Sequence, residues 1–118
     1  MQLTVVVDKK IAHPILRESV ESRARLALTR LSPQLESVCV RVRSEGLREG
    51  GEIGCAISAE FTQGGMVYIN SKAAHPQAAV ALALERARRC VFRELDRRAR
   101  ASTKPLVDER GELATPNP

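Results

Sequence analysis

Hydrophobic and polar residues alternate in four stretches of the chain. The alternation is clearest where Val38, Val40 and Val42 are separated by Cys39 and Arg41. An alternation of this kind is typical of a β-strand that buries one face and leaves the other in solvent. On this basis the sequence predicts strands over residues 2–7, 37–43, 52–61 and 66–71.

Two longer stretches repeat their apolar residues every three or four positions, as amphipathic helices do. The first helix is expected to begin at Pro14, since proline is favoured in the first turn, and to end at Ser32-Pro33. Its apolar face consists of Leu16, Val20, Ala24, Ala27, Leu28 and Leu31. The second is expected from Pro76 to about Ala101, with an apolar face of Val80, Leu84, Ala87, Val91 and Leu95.

The order of these elements predicts an α+β fold. It is strand, helix, strand, strand, strand, helix (β-α-β-β-β-α), and the last three strands are joined by short loops, one of them a tight turn at Gly64-Gly65. We expect a four-stranded sheet with both helices on one face, a two-layer sandwich whose other face is open. The expected domain is 1–101, with a glycine-rich hairpin loop over 44–51 and a flexible, proline-containing tail over 102–118.

Five arginines share one side of the predicted second helix. They are spaced by three or four residues, which places them in a narrow band at about 100° per residue, with the neighbouring acids expected off the band. Like charges at such spacings destabilise an isolated helix by a few tenths of a kcal/mol per pair. We therefore expect this band to face a polyanion. Its members are Arg86, Arg89, Arg93, Arg97 and Arg100.

The net charge of the chain is concentrated in the same region. Residues 72–104 hold nine basic residues against three acids, a net of +6, whereas the whole 118-residue chain carries +5. Arginine greatly outnumbers lysine, and its planar guanidinium matches phosphate. The expected ligand is structured RNA, recognised by shape through its phosphates. Arg86, Arg89, Arg93 and Arg97 are the first candidates to hold phosphates, and the second-tier candidates are Arg100, Arg23, Arg30 and Lys72.

Little in the sequence indicates catalysis, a cofactor or a metal. The chain has neither a glycine-rich phosphate loop nor a recognised nucleophile motif. His13 and His75 each precede a proline, which indicates residues at the entry of a helix rather than metal ligands. Three cysteines without paired spacing favour reduced thiols in the cytoplasm over a disulfide framework or a zinc site. We expect a non-enzymatic protein that binds no small-molecule substrate.

Two further modes of action are disfavoured. No apolar run approaches the length needed to span a membrane, and the N-terminus does not have the pattern of a signal peptide. The chain contains a single tyrosine, Tyr68, which is expected on the outer face of the sheet. Because an RNA-recognition-motif protein needs several aromatic residues on that face, base stacking is not expected to be the main binding mode.

The chain resembles the short ribosome hibernation factors, a family that includes the hibernation-promoting factor and the ribosome-associated translation inhibitor. The resemblance covers roughly residues 1–101 and is strongest from Gly64 to Lys72 and on into Ala78-Ala79-Val80. Arg23 matches the family's first helix well, and Arg30 matches within about a residue. On the last helix, Arg86, Arg89, Arg93 and Arg97 fall at the family's basic positions.

The resemblance implies both a fold and a function. The family's β-α-β-β-β-α fold is related to double-stranded-RNA-binding domains. Its members bind the 30S subunit and the 70S ribosome in the mRNA and tRNA channel, contact 16S rRNA and stop translation in stationary phase and under stress. This chain departs from the family at His75 and Gln77, where an Asp and an aromatic residue are usual, and at His13-Pro14. Off the ribosome we expect a monomer.

Two alternatives remain open from the sequence. The first is a generic module for structured RNA, which would bind naked duplex RNA about as well as ribosomes. The second is a regulatory protein-interaction module whose basic face binds an acidic protein, a role to which the older family label of sigma-54 modulation points. The residues themselves do not decide between these alternatives and ribosome binding.

Overall fold

The structure, a computed structural model, describes residues 1–44 and 52–103. Its elements follow the predicted β-α-β-β-β-α order, with one short 3-10 helix added after the first α-helix. They are β1 (Gln2–Val7), α1 (Pro14–Leu28), the 3-10 helix (Thr29–Gln34), β2 (Leu35–Ser44), β3 (Ile53–Phe61), β4 (Met66–Ala73) and α2 (Pro76–Thr103).

The four strands form one sheet in the order β1-β2-β3-β4. β1 runs parallel to β2, and α1 provides the crossover between them. β2, β3 and β4 pair antiparallel in the order of the chain, which confirms the predicted four-stranded sheet. The predicted α+β fold class is confirmed.

A single hydrophobic core lies between the helices and one face of the sheet. The buried positions of the strands alternate as predicted, with Val40 and Ile57 paired at its centre and each about 1% exposed or less. Both helices bury their predicted apolar faces against these strands, with Leu95, Ala27 and Leu31 half-buried at the margins. Ala79 and Ala83 of α2 are also fully buried, which allows the helix backbone to approach the sheet closely.

The first helix ends earlier than the sequence predicts. α1 stops at Leu28, and the chain tightens into the 3-10 helix, which contains Pro33. A proline cannot donate the α-helical hydrogen bond and its ring collides with the preceding turn, so the tighter coil replaces the last α-helical turn. The hydroxyls of Thr29 and Ser32 donate to the carbonyls of Arg25 and Thr29, which satisfies acceptors at this end.

The other boundaries differ by a few residues. β2 begins at Leu35 with an irregularity before Ser37, and α2 continues to Thr103 rather than Ala101. The predicted tail over 102–118 and the predicted loop over 44–51 lie outside the described residues, apart from Ser44 and the end of α2. The predicted turn at Gly64-Gly65 is confirmed. Both glycines have φ near +90°, where other residues are strained.

The prediction of His13 as a helix-entry residue is confirmed. His13 is the N-cap of α1, and its Nδ1 accepts a hydrogen bond of 3.1 Å from the backbone N–H of Ile15. The imidazole thus satisfies one of the free backbone donors at the start of the helix, the role that Ser, Thr or Asp plays in other helices. This accounts for the departure from the usual cap at this position.

Candidate nucleic-acid interface

The five arginines at 86, 89, 93, 97 and 100, called the arginine band below, lie on the solvent side of α2. All five are exposed, whereas Val80, Ala87 and Val91 on the other side of the helix are fully buried. Because the helix is held on the sheet along this buried side, its orientation fixes the side on which the guanidinium groups project. The predicted separation of a folding face from a basic face is therefore present in the structure.

One contact fixes the side of α2 on which the band lies. Nη1 of Arg86 donates a 3.0 Å hydrogen bond to the backbone carbonyl of Asn70 in β4. The band therefore borders the β4 edge of the sheet, and α1 packs on the opposite flank of α2. This contact also holds the first arginine of the band against a strand.

Three arginines of the band are paired with acids, contrary to the expectation that the acids lie off it. Arg89 lies 3.4 Å from Glu85, Arg97 2.6 Å from Glu94 and Arg100 3.1 Å from Asp96. The acids point elsewhere on a helical wheel, but side chains three or four residues apart are neighbours on the surface. Arg93 has no such partner within the described part of the chain.

These ion pairs leave the band able to bind phosphate. The side chains of Arg89, Arg97 and Arg100 are 62%, 67% and 80% exposed. Exposed ion pairs of this kind contribute about 0–1 kcal/mol each, so an RNA phosphate can replace the carboxylate at little cost. The pairs hold the guanidinium groups in place along the helix while no ligand is bound.

The strongest electrostatic effect in the region falls on Glu94. Hydrogen bonds from Arg97 and then from Arg98 lower the pKa of its carboxyl from 4.5 to about 2. In return, Glu94 raises the pKa of Arg97. Both side chains are therefore fully charged over the whole physiological pH range.

Arg30 lies apart from the arginine band. It faces α2 across a groove of about 620 Å³ that is lined by Leu26, Ala27, Arg30, Leu31, Arg88 and Phe92. On the helical wheel Arg88 is about 140° from the centre of the band, so this groove lies on the other flank of α2. Arg30 therefore extends the positive surface only by way of Arg88, an arginine outside the predicted band.

Arg23 precedes Leu26 by three residues and Ala27 by four, so it lies on the flank of α1 that lines this groove. It is exposed, and so are Leu26 and Phe92 on the facing sides of the groove, at 80% and 62%. An exposed aromatic ring next to guanidinium groups is suited to contact with RNA as well as with protein. The signal that identifies this flank in the sequence is Phe92, an apolar residue outside the apolar face of its helix.

Lys72 lies on a different face of the protein from the arginine band. The preceding residue, Ser71, is buried on the helix side of the sheet, and its hydroxyl donates a 2.6 Å hydrogen bond to the carbonyl of Ala79. Successive side chains of a strand point to opposite faces, so Lys72 lies on the open face. Strand alternation therefore separates Lys72 from the arginine band, and its role as an RNA-binding residue stays a prediction.

Arg98, like Arg86, makes a structural contact outside its own helix. Its guanidinium stacks on Phe61 and donates to the carbonyl of Gly64 and to Glu94, with 29% of its side chain exposed. It follows Val91 by seven residues, which places it in line with the buried side of the helix. The spacing therefore distinguishes this arginine from its exposed neighbours.

The remaining candidate chemistry is limited. None of the three cysteines forms a disulfide, and burial raises the pKa of the Cys55 thiol to about 11, which makes it a poor nucleophile. In residues 1–44 and 52–103, no three His, Cys, Asp or Glu side chains come together as metal ligands. No helix in the same ranges is long and apolar enough to cross a membrane.

Comparisons with known proteins show the fold. No protein-family model matches the chain, and no curated protein matches it. Among solved structures, a ribosomal subunit interface protein from Coxiella burnetii is 12% identical, with a TM-score of 0.65 over 81% of this chain and 99% of that one. The N-terminal domain of Protein Y from Thermus thermophilus is 21% identical, with a TM-score of 0.60 over 79% of this chain and 98% of that domain.

Proposed function

We propose that this protein is a ribosome-associated factor of the hibernation type, which binds 16S rRNA of the 30S subunit through the arginine band. It acts without catalysis, by occupying the mRNA and tRNA channel of 30S and 70S particles in the cytoplasm. Translation is then blocked for as long as the factor remains bound, under stress or in stationary phase. The protein needs no cofactor and is a monomer off the ribosome.

The observation that carries this proposal is the arginine band itself. Five guanidinium groups project from one long, well-packed helix, and the helix is anchored at Arg86 to β4. Arginines fixed in this way bind phosphates with little loss of side-chain freedom and read no base edges. A ligand that suits them has closely spaced phosphates along a curved surface, as folded rRNA does.

The fold supports the same conclusion. The two solved structures named above share the architecture across nearly their whole length, and one of them is a ribosomal subunit interface protein. The sequence resemblance to the hibernation factors rests on separate features, the Gly64–Lys72 segment and the basic positions of the last helix. Fold and surface charge therefore point to the same ligand.

The experiment that tests the proposal reverses the charge at Arg89 and Arg93. The double variant Arg89→Glu and Arg93→Glu should fold normally, because both side chains are exposed, but should fail to bind purified 30S subunits. The matched control is Lys9→Glu with Lys10→Glu, which changes the net charge equally on the exposed loop after β1. The control variant should bind 30S almost as well as the wild type.

A competition assay separates ribosome binding from the simpler alternatives. Naked duplex RNA in excess should displace little of the protein from 30S subunits. Equal affinity for duplex RNA and for subunits would instead identify a generic RNA-binding module. Retention of a cellular partner after nuclease treatment would identify an acidic protein as the ligand.

A further inference from the structure

The open face of the sheet contains a shallow trough along β3. Small residues form its floor, and the strand register sets larger side chains on either side: Arg43 and Lys72 flank Gly54, Arg41 and Asn70 flank Ala56, and Cys39 and Tyr68 flank Ser58. The two walls are two strand spacings apart, about 10 Å. Ala56 is only 4% exposed although it faces away from the helices, so the flanking side chains shield the floor.

Positive charge is concentrated at one end of the trough. Arg41 and Lys72 are exposed, and neither has an acidic partner within residues 1–44 and 52–103. Arg43 adds a third cation in the same row as Lys72. Glu60 lies at the opposite end, where it accepts a hydrogen bond from Ser37. Glu52 immediately precedes β3 and lies at the cationic end, beside the row of Arg43 and Lys72.

An aromatic ring stands beside these cations. Tyr68 is 61% exposed and lies four residues from Lys72 along the same wall, about 13 Å away. An exposed ring next to a track of positive charge is the arrangement by which proteins hold single-stranded nucleic acid. The bases stack on the ring, and the cations follow the backbone phosphates.

We propose that this trough is a second RNA site, which binds a short single-stranded segment with one base on Tyr68 and phosphates near Arg41 and Lys72. It is separate from the arginine band, because the two surfaces lie on opposite sides of the sheet. A duplex keeps its bases stacked inside and cannot present one to Tyr68. A second copy of this chain is unsuited as occupant because it would bring the same cations together.

The chain provides its own probe for this site. Tyr68 is the only tyrosine and there is no tryptophan, so the intrinsic fluorescence of the full chain reports the proposed contact. A base stacked on the ring should quench this emission. The assay titrates the protein with a single-stranded oligouridylate at low salt, and subtracts the loss of emission that the same RNA causes with free tyrosine amide.

Binding of a labelled oligouridylate, measured by fluorescence anisotropy, is compared among two variants and two controls. Tyr68→Ala should weaken binding about 5- to 150-fold, the range for loss of one stacked base. Arg41→Ala with Lys72→Ala should also weaken it and should lower the salt slope by about 0.7 per phosphate contact. Met66→Ala, at the acidic end of β4, and Arg25→Ala, on α1, should change little.

The outcomes distinguish this site from the proposed function. Quenching that persists in the Arg89→Glu, Arg93→Glu variant, together with normal 30S binding by Tyr68→Ala, supports two separate sites. Absence of quenching in the wild type overturns the proposal. The proposal is also overturned if the Arg89→Glu, Arg93→Glu variant loses oligouridylate binding while the trough variants keep it. Equal binding of an oligoglutamate peptide, unaffected by Tyr68→Ala, overturns it in favour of an acidic protein ligand.

Discussion

The guanidinium of Arg98 lies over the ring of Phe61, with its central carbon 4.4 Å from the ring centroid. The same guanidinium donates a 2.8 Å hydrogen bond to the carbonyl of Gly64 and another of 2.8 Å to Glu94. One side chain therefore ties α2 to the end of β3 and to the β3–β4 turn. The part of the helix that carries Arg93, Arg97 and Arg100 is thus held in place by Arg98.

Replacement of Arg98 should lower stability without a direct effect on RNA contacts. Arg98→Ala removes the ring contact and the charged hydrogen bonds. We therefore expect it to lower the free energy of unfolding by about 1–3 kcal/mol. Urea denaturation measures this change. Arg93→Ala, which removes an exposed arginine of the same helix, should cost less than about 0.5 kcal/mol. Equal losses in the two variants would contradict the structural role of Arg98.

Acid should weaken the same region through Glu94. The pKa of this carboxyl is about 2 in the folded protein and ordinarily 4.5, so its ionised form stabilises the fold. This contribution is fully present above about pH 4.5 and is lost as the pH falls towards 2. Melting temperatures measured from pH 6 to pH 2 should therefore fall more steeply for the wild type than for Glu94→Gln. Parallel curves for the two proteins would contradict the assignment.

Removal of Glu85 should strengthen RNA binding. Its carboxylate lies 3.3 Å from Arg88 and 3.4 Å from Arg89, and a bound phosphate has to replace it. Glu85→Gln should therefore raise the affinity for 30S subunits by up to about fivefold at low salt, the equivalent of one exposed ion pair. Glu18→Gln is the matched control, because it removes the same charge from an exposed position on α1. An equal gain in both variants would mean that net charge alone is responsible.

The two glycines of the β3–β4 turn should respond differently to alanine. Both have a positive φ, but a Cβ on Gly65 would lie 2.6 Å from Nη2 of Arg98, whereas a Cβ on Gly64 would meet nothing within 4 Å. We expect Gly64→Ala to cost about 1 kcal/mol from backbone strain alone, and Gly65→Ala to cost more. Thermal unfolding of both variants measures the difference.

A double-mutant cycle identifies the source of that extra cost. In an Arg98→Ala background the guanidinium is gone, so Gly65→Ala should become no worse than Gly64→Ala. The coupling free energy between positions 65 and 98 should therefore be measurable. The added Cβ at position 64 should contribute almost no coupling with position 98. An unchanged penalty at Gly65 in the Arg98→Ala background would show that the strain lies in the backbone.

Much of the fold could be predicted because local and long-range signals agree. Alternation around Val40 and Ile57 places the strands, and the spacing of Val80, Leu84 and Val91 places the long helix. The order of these elements leaves few ways to cover one face of a four-stranded sheet. The end of α1 was harder to predict, because the apolar periodicity continues to Leu31 while Pro33 already changes the backbone.

The candidate site was predicted only in part, since a helical wheel shows direction but not reach. It places the arginine band correctly, yet it cannot show that the acids at 85, 94 and 96 contact arginines three or four residues away. A helical wheel also cannot show how two helices face each other. That packing places Arg30 opposite Arg88 and not beside the band.

Sedimentation of the purified protein with 30S, 50S and 70S particles, at low and at moderate salt, tests the central claim most directly. The proposed function predicts co-migration with 30S and 70S but not with 50S, and retention at moderate salt. The wild type should be retained, and the Arg89→Glu, Arg93→Glu variant should stay at the top of the gradient. Wild-type protein that remains at the top at both salt concentrations would contradict ribosome binding and leave the arginine band with another polyanion as its ligand.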